Sequence, residues 1–104
     1  MAIQHYKREQ NTYILFMSIE LMVSASNSLK SKRRVIKSII ERLRNKFNVS
    51  VAETDFMDLW QRSLIGLTMV SNDKRLIMRS ADAIENFVRE FHEVALLDIT
   101  VEVF

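Results

Sequence analysis

Apolar and polar residues alternate in the first part of the chain, which predicts a β-strand over residues 12–23. Every odd position from Tyr13 to Val23 is apolar, so one face of this strand is wholly apolar. The pattern then changes to a helical period, with apolar residues on a single arc of a helix that begins at Ser28 and ends near Phe47. The Ser28 hydroxyl suits the cap because it can accept a hydrogen bond from a free amide of the first turn.

The second half of the chain continues with the same two kinds of pattern. Further strands are predicted for residues 48–54, 62–70 and 95–103, and a second helix, capped by Ser71 or Asn72, is predicted to reach about Glu93. This order and the short connections are typical of the α+β ferredoxin-like βαββαβ fold, a four-stranded antiparallel sheet with two helices on one face. We expect a single domain over residues 12–104, preceded by a flexible N-terminal extension at residues 1–11.

The start of the chain also has some features of a secretion signal. Lys7 and Arg8 precede an apolar run that is followed by small residues at positions 23–25. Glu20 interrupts that run, and its alternation is that of a strand, so we favour a structural strand. The run is also too short to cross a bilayer as a helix.

Composition excludes several classes of function. The chain has no cysteine and one glycine, Gly66, which excludes disulfides, thiolate metal sites and glycine-rich phosphate loops. Neither His5 nor His92 has a recognisable acid or nucleophile partner, so we expect no catalytic residues and no enzyme activity. Three carboxylates near a turn could hold Mg²⁺, but such a group is more often simply solvated: Glu53, Asp55 and Asp58. We predict no metal and no cofactor.

Charge is concentrated on the first helix. Residues 30–46 contain eight Lys or Arg and one acid, Glu41, for a net charge of +7. The whole chain carries only +2, so the remainder carries −5. Five of these cations form a ridge along one flank and the back of the helix, which predicts contact with RNA phosphates unless the ridge is only a solvated helix face: Lys30, Arg33, Arg34, Lys37 and Arg44.

The uncovered face of the predicted sheet has an apolar centre, which predicts a homo-oligomer formed through Ile14, Phe16, Leu64 and Val70. Phe16 is the one aromatic residue there, so base stacking on this face is disfavoured. Trp60 has two interpretations, a recognition loop that stacks on bases or a ring that closes the edge of the core.

Several motifs occur in order along the chain: SLKSKRRVIKS at residues 28–38, RLRNKFNVSVAE at residues 42–53, DLWQR at residues 58–62, Gly66, and VSND at residues 70–73. Together they resemble the YlxP-like bacterial proteins, domain of unknown function 503. The resemblance implies a small ferredoxin-like cytoplasmic protein, often encoded near genes for translation initiation and ribosome maturation. Two departures are the N-terminal extension and Ser31, where the family often has an acid. An RNA-binding, ribosome-associated accessory factor and a dimeric protein-interaction module are both consistent with these features.

Overall fold

A computed structural model describes residues 11–24 and 26–104. Its elements are, in chain order, β1 (Tyr13–Val23), α1 (Leu29–Lys46), β2 (Ser50–Asp55), β3 (Arg62–Ser71), α2 (Lys74–Arg89) and β4 (Val94–Val103). The predicted βαββαβ order is confirmed. The extension predicted for residues 1–11 lies outside the described residues, apart from Asn11.

The four strands form one antiparallel sheet in the order β2-β3-β1-β4, which is the ferredoxin-like arrangement. β1 lies in the middle, where Ile19 is opposite Ile65 of β3 and Ile99 of β4. The odd residues of β1 from Leu15 to Val23 are fully buried. Since successive side chains of a strand point to opposite faces, the apolar side predicted for β1 faces the helices.

Each helix covers that face with an apolar stripe. α1 buries Ile36, Ile39 and Leu43, while α2 buries Ile77, Ala81, Ile84 and Val88. Three aromatic rings join the two helices edge to face, Phe87 contacting Phe47 at 5.7 Å and Phe91 at 5.4 Å between ring centroids. Burying each large apolar side chain stabilises the fold by about 1.5–3 kcal/mol, so this shared layer holds both helices on the sheet.

The second helix differs from the prediction at both ends. Its N-cap is Asp73, because that carboxylate accepts hydrogen bonds from the amides of Arg75 at 2.9 Å and Leu76 at 3.2 Å. The helix ends at Arg89, four residues before the predicted end, because the next amides bond to carbonyls three residues back in a tighter turn.

Gly66 marks a close contact between strands. A Cβ atom at this position would lie 3.0 Å from Cγ2 of Thr54 in β2, closer than ordinary van der Waals contact. A glycine inside a strand is typical of such a close approach between strands. The pairing irregularities fall elsewhere in the sheet, between Glu53 and Asp55 of β2 and opposite Glu20 and Leu21 of β1, where β4 has one additional residue.

Candidate polyanion-binding surface

The basic ridge lies on the outer flank of α1. The helix begins at the predicted cap, where the Ser28 hydroxyl accepts a hydrogen bond from the Ser31 amide at 3.0 Å. Its apolar stripe then packs on the sheet, which leaves the flank and back of the helix in water. All five predicted ridge residues are exposed: Lys30, Arg33, Arg34, Lys37 and Arg44.

Three of the ridge cations border a groove between α1 and the edge strand β2. Arg33, Lys37 and Arg44 line this ridge groove, which has a volume of about 390 Å³. Its other lining residues are two apolar residues and one acid of α1 and two residues of β2: Ile36, Ile40, Glu41, Ala52 and Glu53. The structure therefore brings part of the ridge together at one site and leaves Lys30 and Arg34 outside it.

The ridge cations keep their charge available to a ligand. Across residues 11–24 and 26–104, the ion pairs are Lys32 with Glu53, Arg62 with Glu20, and Arg89 with Glu85. None of these pairs includes a ridge residue. Glu41, which lies between Lys37 and Arg44 on the same flank, is exposed and takes part in none of them. The ridge thus remains a surface of net positive charge, with Glu41 as the acid beside its five cations.

Arg44 has a structural role as well as a charge. Its guanidinium donates a hydrogen bond to the main-chain carbonyl of Val51 in β2 at 3.0 Å. This bond ties the last turn of α1 to the edge of the sheet. Arg44 is therefore oriented by the protein itself, whereas no side-chain hydrogen bond involves Lys30, Arg33, Arg34 or Lys37 within the described part of the chain.

Lys32 is the residue that the sequence interpretation missed. It is fully buried, and its ammonium lies 2.6 Å from a carboxylate oxygen of Glu53 and donates to the carbonyl of Phe56 at 2.7 Å. The same carboxylate oxygen accepts a hydrogen bond from Ser63 at 2.6 Å. A signal was present, because Lys32 precedes Ile36, Ile39 and Leu43 by four, seven and eleven residues and so lies on the apolar arc.

The remaining two cations of α1 face the second helix. The Arg42 guanidinium lies over the ring of Phe91 at 5.4 Å, and the Lys46 ammonium lies over Phe87 at 4.7 Å. Such cation–aromatic contacts stabilise the packing of α1 against α2 by about 0.5–1 kcal/mol each at exposed sites. Neither of these two residues belongs to the ridge.

The predicted interface residues share the sheet face that the helices leave uncovered, which we call the open face. Ile14 pairs with Val70, and Leu64 pairs with Glu20, so these side chains project on the same side as Phe16. Val70 is 59% exposed, and the other three predicted residues are half-buried. Arg62 forms an ion pair with Glu20, which offsets one negative charge on this face.

Trp60 lies in the loop between β2 and β3, which we call the Trp60 loop (residues 56–61). Its side chain is 48% exposed, so it does not close the edge of the core as one interpretation required. Trp60 and Asp58 line a depression with the residues that lead into α1: Asn27, Ser28 and Leu29. Arg62, which was grouped with Trp60 in the sequence, instead contacts Glu20 and the ring of Phe56.

The three carboxylates considered for Mg²⁺ have separate roles. Glu53 is bound by Lys32 and Ser63, Asp55 accepts a hydrogen bond from the Phe56 amide at 2.7 Å, and Asp58 lies beside Trp60. Within the described ranges, no three acidic or histidine side chains are grouped to hold a metal ion. Neither helix in those ranges is long and apolar enough to cross a membrane.

Comparison with known proteins agrees with the fold and the motifs. A family model described as "Protein of unknown function (DUF503)" matches residues 14–101. The chain belongs to the DUF503 family. It is also similar to the uncharacterised protein YlxP of Bacillus subtilis (strain 168), with 35% identity over 79 residues, which is 76% of this chain and 86% of that protein. The family match spans α1, β2 and the Trp60 loop, so the ridge groove lies within the family domain.

Proposed function

We propose that the protein binds RNA through the basic ridge of α1, as a non-catalytic accessory factor of the cytoplasm. The observation that carries this proposal is the exposure of five cations on one flank, none of them in an ion pair among the described residues. Cations arranged in this way neutralise phosphates and release counterions, which favours binding to a polyanion. Ribosomal RNA is the partner to test first, because the YlxP-like proteins that this chain resembles are often encoded near genes for ribosome maturation.

The test is a charge reversal with a matched control on the other helix. Changing Arg33, Arg34 and Lys37 to Glu reverses three exposed ridge charges and leaves the Arg44 bond to β2 intact. The control changes three exposed cations of α2 to Glu: Lys74, Arg75 and Arg79. Both variants alter the net charge equally, so a difference between them reports the position of the charge.

We expect the ridge variant to lose roughly two orders of magnitude in affinity for ribosomal RNA fragments, and the α2 variant to lose much less. For the wild-type protein, affinity should fall steeply with salt. The logarithmic slope should decrease by about 0.7–0.9 for each phosphate that a variant no longer neutralises. The measurements are fluorescence anisotropy titrations at several salt concentrations. Equal losses of affinity in the two variants, or no RNA binding by the wild-type protein, would contradict the proposal.

A second candidate function is a dimeric protein-interaction module that uses the open face. Its support is the exposure of Val70, which lies beside Ile14 on the sheet face that the helices leave uncovered. Val70→Glu should then convert a dimer to a monomer in light scattering without lowering the thermal stability of the fold. A wild-type protein that is monomeric at all accessible concentrations would remove this candidate.

A further inference from the structure

The Trp60 loop carries three large apolar side chains that are about half exposed. Trp60, Met57 and Leu59 are exposed by 48%, 51% and 47%. A tryptophan ring is a large apolar surface that usually lies mostly buried, and its exposure at a fixed site is typical of a contact surface. Trp60 is also the only tryptophan in the chain.

The loop is held in place by main-chain and buried contacts. At its start, the carbonyl of Phe56 accepts a hydrogen bond from buried Lys32, and the Phe56 amide donates to the Asp55 side chain. At its end, the carbonyl of Gln61 accepts a hydrogen bond from the Val23 amide of β1 at 2.9 Å. A loop fixed at both ends needs less ordering of its main chain when a ligand binds, which reduces the entropy lost on binding.

The position of the ring relative to the basic ridge points to the ligand. The depression beside Trp60 has a volume of about 360 Å³ and is completed by Leu29 at the start of α1. Lys30 is the next residue, and Arg33 lies one helical turn beyond Leu29, about 6 Å along the axis. A strand whose phosphates contact the start of the ridge at Lys30 would therefore come within reach of the exposed indole.

We propose that Trp60 stacks on an unpaired base of the RNA whose phosphates lie along the basic ridge. This inference rests on the proposed function. Asp58, which lines the same depression, provides a carboxylate that accepts a hydrogen bond from an amino group on the edge of the base. A depression that combines the Trp60 ring and Leu29 with the Asp58 carboxylate suits a base better than a phosphate, because the carboxylate repels an anion.

The consequence is a preference for single-stranded or bulged RNA over a continuous duplex. Bases in a duplex are stacked on one another and are not free to stack on a side chain, whereas unpaired bases stack on aromatic rings. The ridge alone would bind both forms through their phosphates. Trp60 therefore adds a preference for unpaired RNA that the ridge alone does not provide.

The single tryptophan makes the test direct, because the intrinsic fluorescence selectively excited in tryptophan comes from Trp60 alone. We expect saturable quenching on titration with a short oligocytidylate, less with oligouridylate, which lacks the amino group, and little with a duplex of the same charge.

Trp60→Ala should weaken single-strand binding about tenfold and leave duplex binding unchanged. The matched control is Met57→Ala, which removes a similarly exposed side chain from the same loop. It should leave the affinities for single-stranded and duplex RNA unchanged.

The outcomes separate this inference from the proposed function. Single strands that bind through the ridge without quenching Trp60 would overturn the stacking and leave RNA binding intact. No binding of either RNA form would overturn both proposals. Quenching by an acidic peptide but by no oligonucleotide would assign the loop to a protein partner and also overturn the inference. Circular dichroism of Trp60→Ala checks the fold, and the wild-type titration does not depend on any variant.

Discussion

The two helices cover the same face of the sheet, yet they present different surfaces to water. α1 carries eight cations and one acid, whereas α2 carries four cations and two acids. On α2 the pair of Arg89 and Glu85 lies on the exposed surface four residues apart, an arrangement common on solvated helices. On α1 the paired cation, Lys32, is buried under the helix, and the outer flank has no ion pair among the described residues.

The difference shows what packing requires and what it leaves free. Both helices are held by apolar residues at the same spacing, so the fold needs no excess of positive charge on either of them. Clustered like charges repel one another and destabilise a compact state. The excess on α1 therefore has a cost for folding, and binding to a polyanion would offset that cost.

The largest expected effect contrasts the paired cations of the two helices. Lys32→Met should lower the free energy of unfolding by about 3 kcal/mol, because it leaves Glu53 and the Phe56 carbonyl without their buried partner. Arg89→Met removes an exposed pair and should cost less than about 0.5 kcal/mol. Urea denaturation of the two variants measures the difference.

A second substitution sharpens that experiment. The double variant combines Lys32→Met with Glu53→Gln, which replaces the carboxylate at position 53 with a neutral amide. This amide needs no cation and still accepts a hydrogen bond from Ser63. Part of the stability lost in Lys32→Met should therefore return. Equal costs for Lys32→Met and Arg89→Met would show that the buried pair does not stabilise the fold more than the exposed one.

A smaller effect contrasts the first turns of the helices. Asp73→Ala should cost about 1–2 kcal/mol and Ser28→Ala about 0.5–1 kcal/mol, because Asp73 accepts two amide hydrogen bonds and places a negative charge at the positive end of the helix dipole. Asp73→Asn keeps an acceptor without the charge and should lie between the wild-type protein and Asp73→Ala.

Chemical denaturation at low and high salt checks this contrast. The cost of Asp73→Ala should decrease at high salt because the interaction of a charge with the helix dipole is screened, while the cost of Ser28→Ala should not change. A cost of Ser28→Ala that equals or exceeds that of Asp73→Ala at low salt would reverse the expected order.

The sequence predicts the fold well because the hydrophobic period of β1 and of both helices is unbroken. The alternation along β1 and the apolar arcs of both helices locate all six elements to within a few residues. The predicted end of α2 was wrong because the apolar pattern alone does not reveal the tighter turn at Glu90. Element boundaries depend on such local hydrogen bonds, which the apolar period does not encode.

The candidate site was predicted only in part. The ridge residues are exposed as their helical angles indicate, but their convergence on β2 depends on how α1 lies over the sheet, which is a tertiary feature. The burial of Lys32 was not predicted, because lysine is rarely buried without a partner, and that partner, Glu53, is 21 positions away in the chain. The exposure of Trp60 likewise depends on the loop path.

The bond from Arg44 to Val51 also bears on aggregation. β2 is an outer strand, and an outer strand offers unpaired main-chain groups to which strands of other molecules can add. The Arg44 guanidinium occupies one of those carbonyls and puts a positive charge beside it, and both features discourage a second molecule from joining the sheet there. One side chain of the ridge thus also protects the molecule from growth into larger β-structured assemblies.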